Sequence, residues 1–148
     1  MLKGKLINPQ VLEVLGRAGH GSRILIADGN YPFANKLGPN ARLVSLNLSP
    51  GVVTCPQVLE AIVTAVPIEA AYVMQYEKTG RYALQAEPPV WSEFRQILHA
   101  AGADIELVPI ERSEFYERAG TPDVVLTIAT GEQAIFANLL LTIGVVRQ

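Results

Sequence analysis

Two side chains in one short stretch have the chemistry to move a proton and hold a polar ligand. His20 lies in the glycine-flanked turn Gly19-His20-Gly21, and Asp28 follows the apolar run Ile24–Ala27, ahead of Gly29-Asn30-Tyr31-Pro32. An imidazole can give or take a proton close to neutral pH, which suits general acid–base work. The run between them is short, continuous and rich in isoleucine, the pattern of a strand buried on both faces. Gly29, Asn30 and Pro32 are turn residues that end it. Asp28 is thereby placed at the carboxyl end of a buried strand, where open α/β sheets hold ligands. His20 enters from the opposite end of that strand, which spans roughly 15–25 Å. The two side chains meet only if the His20 turn folds back or a second chain supplies one of them.

The elements that must position these residues follow from periodicity. Asn8-Pro9 reads as a helix start, and Val11, Leu12, Val14, Leu15 and Ala18 repeat at helical spacing up to Gly19. Leu43–Leu48 reads as a short strand closed by Ser49-Pro50-Gly51. Thr54 or Cys55 caps a second helix with Pro56 in its first turn, buried through Val58, Leu59, Ile62, Val63 and Val66. Ala70–Met74 is a buried strand. The loop from Gln75 to Pro89 is longer than most connectors, and loops of that length are more often functional than merely connective. Trp91, Phe94, Ile97, Leu98 and Ala101 mark a third helix ending at Gly102. Ile105–Ile110 reads as a strand, Glu111–Ala119 as a polar helix with Phe115 inward, and Val124–Ala129 and Leu139–Val146 as the last strands. Strands alternating with amphipathic helices predict one α/β domain over residues 1–148, a three-layer α/β/α sandwich on a largely parallel sheet.

Composition narrows the function classes. The chain has 148 residues, enough for one domain with a real core and short for two. Hydrophobic residues make up 49% and charged residues 18%, an apolar balance that buried parallel strands and a subunit interface would both use. Net charge is −2 with scattered basic residues, without the electrostatic footprint of a nucleic-acid binder. No apolar run approaches the ~20 residues of a membrane span, and the start of the chain lacks an apolar signal core. One cysteine, Cys55, allows no internal disulfide and fits a reducing compartment, so the expected location is the cytoplasm. With two histidines and that one cysteine, no metal site is expected. Neither a Gly-x-Ser-x-Gly elbow nor a phosphate-cradling glycine loop is present. Cys55 and Trp91 read as packed residues, Trp91 in a core or an interface, and His99 as a solvated side chain late in a helix.

Taken together, Gly19-His20-Gly21 and Ala27-Asp28-Gly29-Asn30-Tyr31-Pro32 resemble the "GHGD…ADANFP" opening of the D-ribose pyranase / L-fucose mutarotase (RbsD/FucU) family. Met1-Leu2-Lys3-Gly4, Phe115-Tyr116-Glu117-Arg118-Ala119, Thr130-Gly131-Glu132 and the ending Asn138-Leu139-Leu140-Leu141 with Gly144-Val145 fit in the same order. The resemblance covers the whole chain, and Phe115–Ala119 makes it closer to the fucose side. It implies an RbsD-like fold and a cofactor-independent isomerase that interconverts anomers or ring forms of a monosaccharide. It also implies ring-shaped homo-oligomers, typically decamers, with sites near subunit boundaries. Carried over by residue, it makes His20 the acid–base catalyst and Asp28, Arg112 and Asn138 sugar contacts, with Phe136 standing where the family usually has a tyrosine. Ser22 replaces the usual aspartate after the His-Gly pair. Because position 136 offers no hydroxyl, either the substrate lacks the matching group, or Tyr31 or Tyr116 supplies one, or catalysis is weak. A non-catalytic sugar-binding or regulatory protein that keeps the pocket is the alternative reading.

Overall fold

A computed structural model describes residues 1–147. The element order is α1 (Pro9–Arg17), β1 (Arg23–Ala27), β2 (Arg42–Ser45), α2 (Cys55–Ile62), β3 (Ile68–Met74), α3 (Pro89–Ala100), β4 (Leu107–Ile110), α4 (Arg112–Ala119), β5 (Val124–Ala129) and β6 (Leu139–Ile143). The helix starts follow the capping chemistry of the sequence. Asn8 accepts the Gln10 and Val11 amides on its side chain, each at 3.0 Å. Thr54 forms a reciprocal capping box with Gln57. α4 begins one residue later than expected, with Glu111 as a cap that makes no side-chain bond.

The six strands form one sheet in the order β2-β5-β1-β6-β3-β4. Ladders β1/β5, β2/β5 and β3/β4 are parallel, whereas β6 runs antiparallel to both β1 and β3. The sheet is therefore largely parallel, with one reversed strand in its middle. The link from β5 to β6 is too short to carry the chain back across the sheet, which takes a dozen residues or more, so β6 enters at the end where β5 left.

Pairing, more than propensity, sets the strand ends. β2 stops at Ser45 rather than Leu48 because its partner β5 ends opposite it at Ala129. β6 stops at Ile143 rather than Val146 because it pairs Thr142 with Arg23 and Ile143 with Ile68, where both neighbours begin. β4 starts at Leu107 rather than Ile105, and it is an edge strand, which is where Pro109 is tolerated. β3 is longer than the apolar run indicated, because Ile68 pairs with Ile143.

Alternation along β1 separates the two faces of the sheet. Ile24 and Ile26 pack with Val11 and Leu15 of α1, Val58, Leu59 and Ile62 of α2, and Trp91, Phe94 and Leu98 of α3. Leu25 and Ala27 pack on the other face with Phe115 and Ala119 of α4, and with Tyr31 from the turn after β1. All four residues Ile24–Ala27 have no solvent exposure, as a run covered on both sides requires. Among the described residues no helix is long and apolar enough to cross a membrane.

Candidate sugar-binding site

β1 and β3 end on either side of the start of β6, at a point where successive connections leave the sheet in opposite directions. Crevices of this kind hold ligands in open α/β sheets. Here a cavity of about 300 Å³ opens, and Asp28, Arg112, Phe136 and Asn138 all line it. These residues, far apart in sequence, come together because Asp28 follows β1, Arg112 follows β4, and Phe136 and Asn138 precede β6.

Asp28 and Asn138 form the polar centre. Asp28 donates its backbone N–H to Asn138 Oδ1 at 2.9 Å, and Asn138 Nδ2 donates back to Asp28 Oδ2 at 2.9 Å. The Ala137 amide also donates to Oδ2, at 3.3 Å, and the Asn30 amide donates to Oδ1, at 2.9 Å. Three donors on about four lone-pair sites leave Asp28 one acceptor position for a ligand. Both residues are almost fully buried. They thus combine the ordinary structural duty of tying β1 to β6 with a place on the cavity wall.

Burial is the largest influence on Asp28 and raises its pKa from 3.8 to about 6, against the lowering effect of the Asn30 and Ala137 amides and with a smaller raising effect from Glu132. A carboxyl whose pKa is raised on folding adds stability below its unfolded value, and that stability is lost as pH rises through the folded value. Stability attributable to Asp28 is therefore expected to fall between about pH 4 and pH 6, by about 3 kcal/mol in total. Affinity for a hydroxyl-bearing ligand in the cavity is expected to move the other way, because protonation removes an acceptor. Chemical denaturation and sugar titration across this range, with Asp28→Asn beside the wild type, check both signs.

Arg112 and Phe136 are each held by a second residue. Arg112 is exposed at the rim, donates to Glu77 Oε1 at 3.3 Å and lies 5.8 Å from the Tyr116 ring centre. Phe136 has φ of 60°, a left-handed conformation in which side chains are disfavoured, and its carbonyl accepts the Trp91 Nε1–H at 2.8 Å. Trp91, itself 1% exposed, thereby fixes the segment that carries Phe136 and Asn138. Trp91→Phe is expected to cost about 1–3 kcal/mol, the penalty for leaving a buried group without its partner. It is also expected to weaken sugar binding more than turnover; thermal melts and a KM-against-kcat comparison test this.

His20 lies elsewhere in the chain. Its turn precedes β1, at the far end of the strand from Asp28. Nε2 is 3.0 Å from both carboxylate oxygens of Glu69, and the imidazole is 61% exposed. In neutral His20 this contact places the proton on Nε2, which leaves Nδ1 as the basic nitrogen. Ser22 Oγ accepts the Gly19 amide at 3.3 Å, bracing the turn's backbone. The separation anticipated from the length of β1 is therefore present: within one chain, His20 and the cavity do not meet.

Other lining residues escaped the sequence reading. Glu77 and Tyr82 reach the cavity from the long loop after β3, whose length was the one available signal. Met74 and Ile135 complete its apolar side. Glu69, the partner of His20, carried no motif. Cys55 is buried, with its Sγ 3.4 Å from Thr130 Oγ1, and His99 is exposed at the end of α3. Among the described residues no cluster of three or more His, Cys, Asp and Glu side chains is arranged to hold a metal ion.

Comparison with known proteins identifies the family and the fold. The model of the RbsD / FucU transport protein family matches residues 1–146. Human fucose mutarotase is 37% identical over 153 aligned residues, covering 97% of this chain and 94% of its own. The D-ribose pyranase of Klebsiella pneumoniae (strain 342) is 28% identical, covering 98% and 99%. The crystal structure of the fucose mutarotase from Streptococcus pneumoniae in complex with L-fucose superposes with a TM-score of 0.76 at 30% identity, covering 95% of each chain. A six-stranded sheet reversed at β6, a cavity at the carboxyl ends of its parallel strands and a family match over nearly the whole length converge: the chain belongs to the RbsD/FucU family.

Proposed function

We propose that this chain is a cofactor-independent sugar isomerase, a mutarotase or pyranase that interconverts anomers or ring forms of a fucose-like reducing monosaccharide. The observation that carries this is the paired Asp28–Asn138 centre beside Arg112 in a cavity of monosaccharide size. Relatives named fucose mutarotase and D-ribose pyranase support the same chemistry.

Mutarotation removes the proton of the anomeric hydroxyl, delivers a proton to the ring oxygen and breaks the bond between C1 and that ring oxygen, leaving an open-chain aldehyde. Rotation about C1–C2 then lets the ring close on the other face. In the proposed site the free lone pair of Asp28, the remaining guanidinium protons of Arg112 and the second amide proton of Asn138 bind adjacent hydroxyls. Acid–base work falls to His20, whose Nε2–H is engaged by Glu69 and whose Nδ1 is free to exchange a proton. Because His20 and the cavity lie at opposite ends of β1, the working site takes His20 from a neighbouring subunit, which fits assembly as a decameric ring. The protein acts as one domain over residues 1–148, in the cytoplasm, where its single cysteine stays reduced.

The separation of His20 from the cavity also favours a second reading, a sugar-binding or regulatory protein without turnover. Saturation-transfer NMR on fucose, ribose, galactose, rhamnose and arabinose separates the two. Accelerated anomer exchange supports the isomerase. Line broadening without exchange supports the binder and refutes the isomerase, and silence on every sugar refutes both.

A further inference from the structure

Nearly every polar side chain on the cavity wall is already engaged or open to water. Asp28 and Asn138 bond each other, Arg112 bonds Glu77, Tyr82 is 57% exposed, and the Tyr116 ring faces the cations of Lys36 at 5.4 Å and Arg112 at 5.8 Å. Tyr31 differs. It lines the same cavity and is 4% exposed, yet its hydroxyl oxygen is sealed from solvent and has no hydrogen-bond partner among the described residues. The other two unpartnered buried atoms, Arg23 Nε and Thr127 Oγ1, belong to residues outside the cavity lining.

A buried hydroxyl without a partner forgoes its hydrogen bond to water and gains nothing in return. Phenylalanine would fill the same space without that loss. Tyr31 sits between two aromatic rings, with centroids 6.0 Å from Phe33 and 5.7 Å from Tyr116, both tilted, and this packing asks only for a ring. Phe136, also on the cavity wall, supplies a ring and no hydroxyl. The folded chain thus carries, at the edge of a polyol-sized space, a phenolic hydroxyl that is sealed from water and that none of the described residues uses.

We propose that Tyr31 is a substrate-recognition residue whose hydroxyl donates to one oxygen of the bound monosaccharide, and so selects sugars that carry an oxygen at that position. The inference rests on the sugar-site reading above and deepens it. Because the oxygen is sealed in the empty chain, the sugar reaches it only as the aromatic wall around Tyr31 parts, which couples recognition to a local adjustment. Burial also pushes the Tyr31 phenol well above its ordinary pKa, so it remains a donor at every physiological pH.

The test is Tyr31→Phe, which preserves the ring. L-fucose, D-ribose and the monodeoxy analogues of each are compared by NMR exchange rate and by binding. On the parent sugar, Tyr31→Phe is expected to lower kcat/KM, or affinity if there is no turnover, by about 5- to 100-fold. On one deoxy analogue, the one lacking the contacted oxygen, wild type and variant are expected to agree. The melting temperature of the sugar-free protein is expected to hold or rise, since no protein bond is lost. Equal behaviour of wild type and variant on every sugar overturns the proposal, as does a loss common to all sugars or a fall in melting temperature. A wild type that neither exchanges nor binds any of these sugars instead refutes the sugar-site reading, and this proposal with it.

Discussion

Replacing His20 with alanine is expected to lower anomer exchange by about 10²–10⁴-fold, the usual contribution of a placed proton-transfer group, while sugar affinity changes little. The affinity expectation follows from the division of labour in the proposed site: Asp28, Arg112 and Asn138 on the cavity wall would hold the sugar's hydroxyls, whereas His20 would move the proton of the anomeric centre. Glu69→Gln is expected to fall between wild type and His20→Ala. It leaves the imidazole in place and removes the carboxylate that holds Nε2–H, now 3.0 Å away at both oxygens. Co-expressing His20→Ala with Asp28→Ala gives the sharper result. If His20 serves a neighbour's cavity, mixed assemblies contain some intact sites and recover part of the activity that each variant lacks alone. Saturation-transfer NMR on the purified mixture reads this directly. No recovery in verified mixed assemblies refutes the shared site, and unchanged exchange in His20→Ala alone refutes the catalytic role.

Gly131→Ala is expected to be the most damaging single-methyl change near the site. A Cβ there would overlap the Ser49 and Val52 carbonyl oxygens, the latter at 2.5 Å, and both are backbone atoms that no rotamer change can move. The close approach is also bonded: the Gly131 amide donates to the Val53 carbonyl at 2.8 Å, and the Gly51 amide donates to the Gly131 carbonyl at 2.6 Å. Adding the methyl must push the 49–52 turn away and break this stitching. On its other side, Glu132 accepts the Cys55 amide at the start of α2 and the Ala134 amide, so the disturbance reaches both α2 and the segment leading to Phe136. A loss of about 3–5 kcal/mol is expected, at the severe end for one substitution. At about 2–4 °C per kcal/mol for a chain of this size, the melting temperature would fall by roughly 10 °C. Gly16→Ala is the matched control, because a Cβ there meets nothing within 4 Å.

Much of this molecule was legible residue by residue. Local chemistry placed caps at Asn8 and at Thr54 or Cys55, of which the structure uses Thr54, because a side-chain oxygen must satisfy amides that the first helical turn leaves free. The uninterrupted run Ile24–Ala27 marked a strand covered on both faces, since any open face would have asked for alternation. Asp28, following that run before turn residues, had to lie at the carboxyl end of a buried strand. The ordered motifs from Gly19-His20-Gly21 to Asn138-Leu139 pointed to the family that the comparison establishes.

Other features are settled only by partners distant in the chain. Leu48, Val145 and Val146 are as apolar as strand residues; they lie outside the sheet because the ladders with β5, β1 and β3 end before them. The reversal of β6 depends on where its neighbours stand, not on its own apolar residues. Glu77 reaches the cavity through a loop, Trp91 through a bond to the Phe136 carbonyl, and Glu69 meets His20 through the alignment of β3 with β6. Tyr31 is the plainest case. Its letter says only that a ring and a hydroxyl are present. That the ring is packed while the hydroxyl is left unpaired beside a cavity is a property of everything around it, because burial and hydrogen-bond satisfaction depend on neighbours that one-dimensional order does not specify.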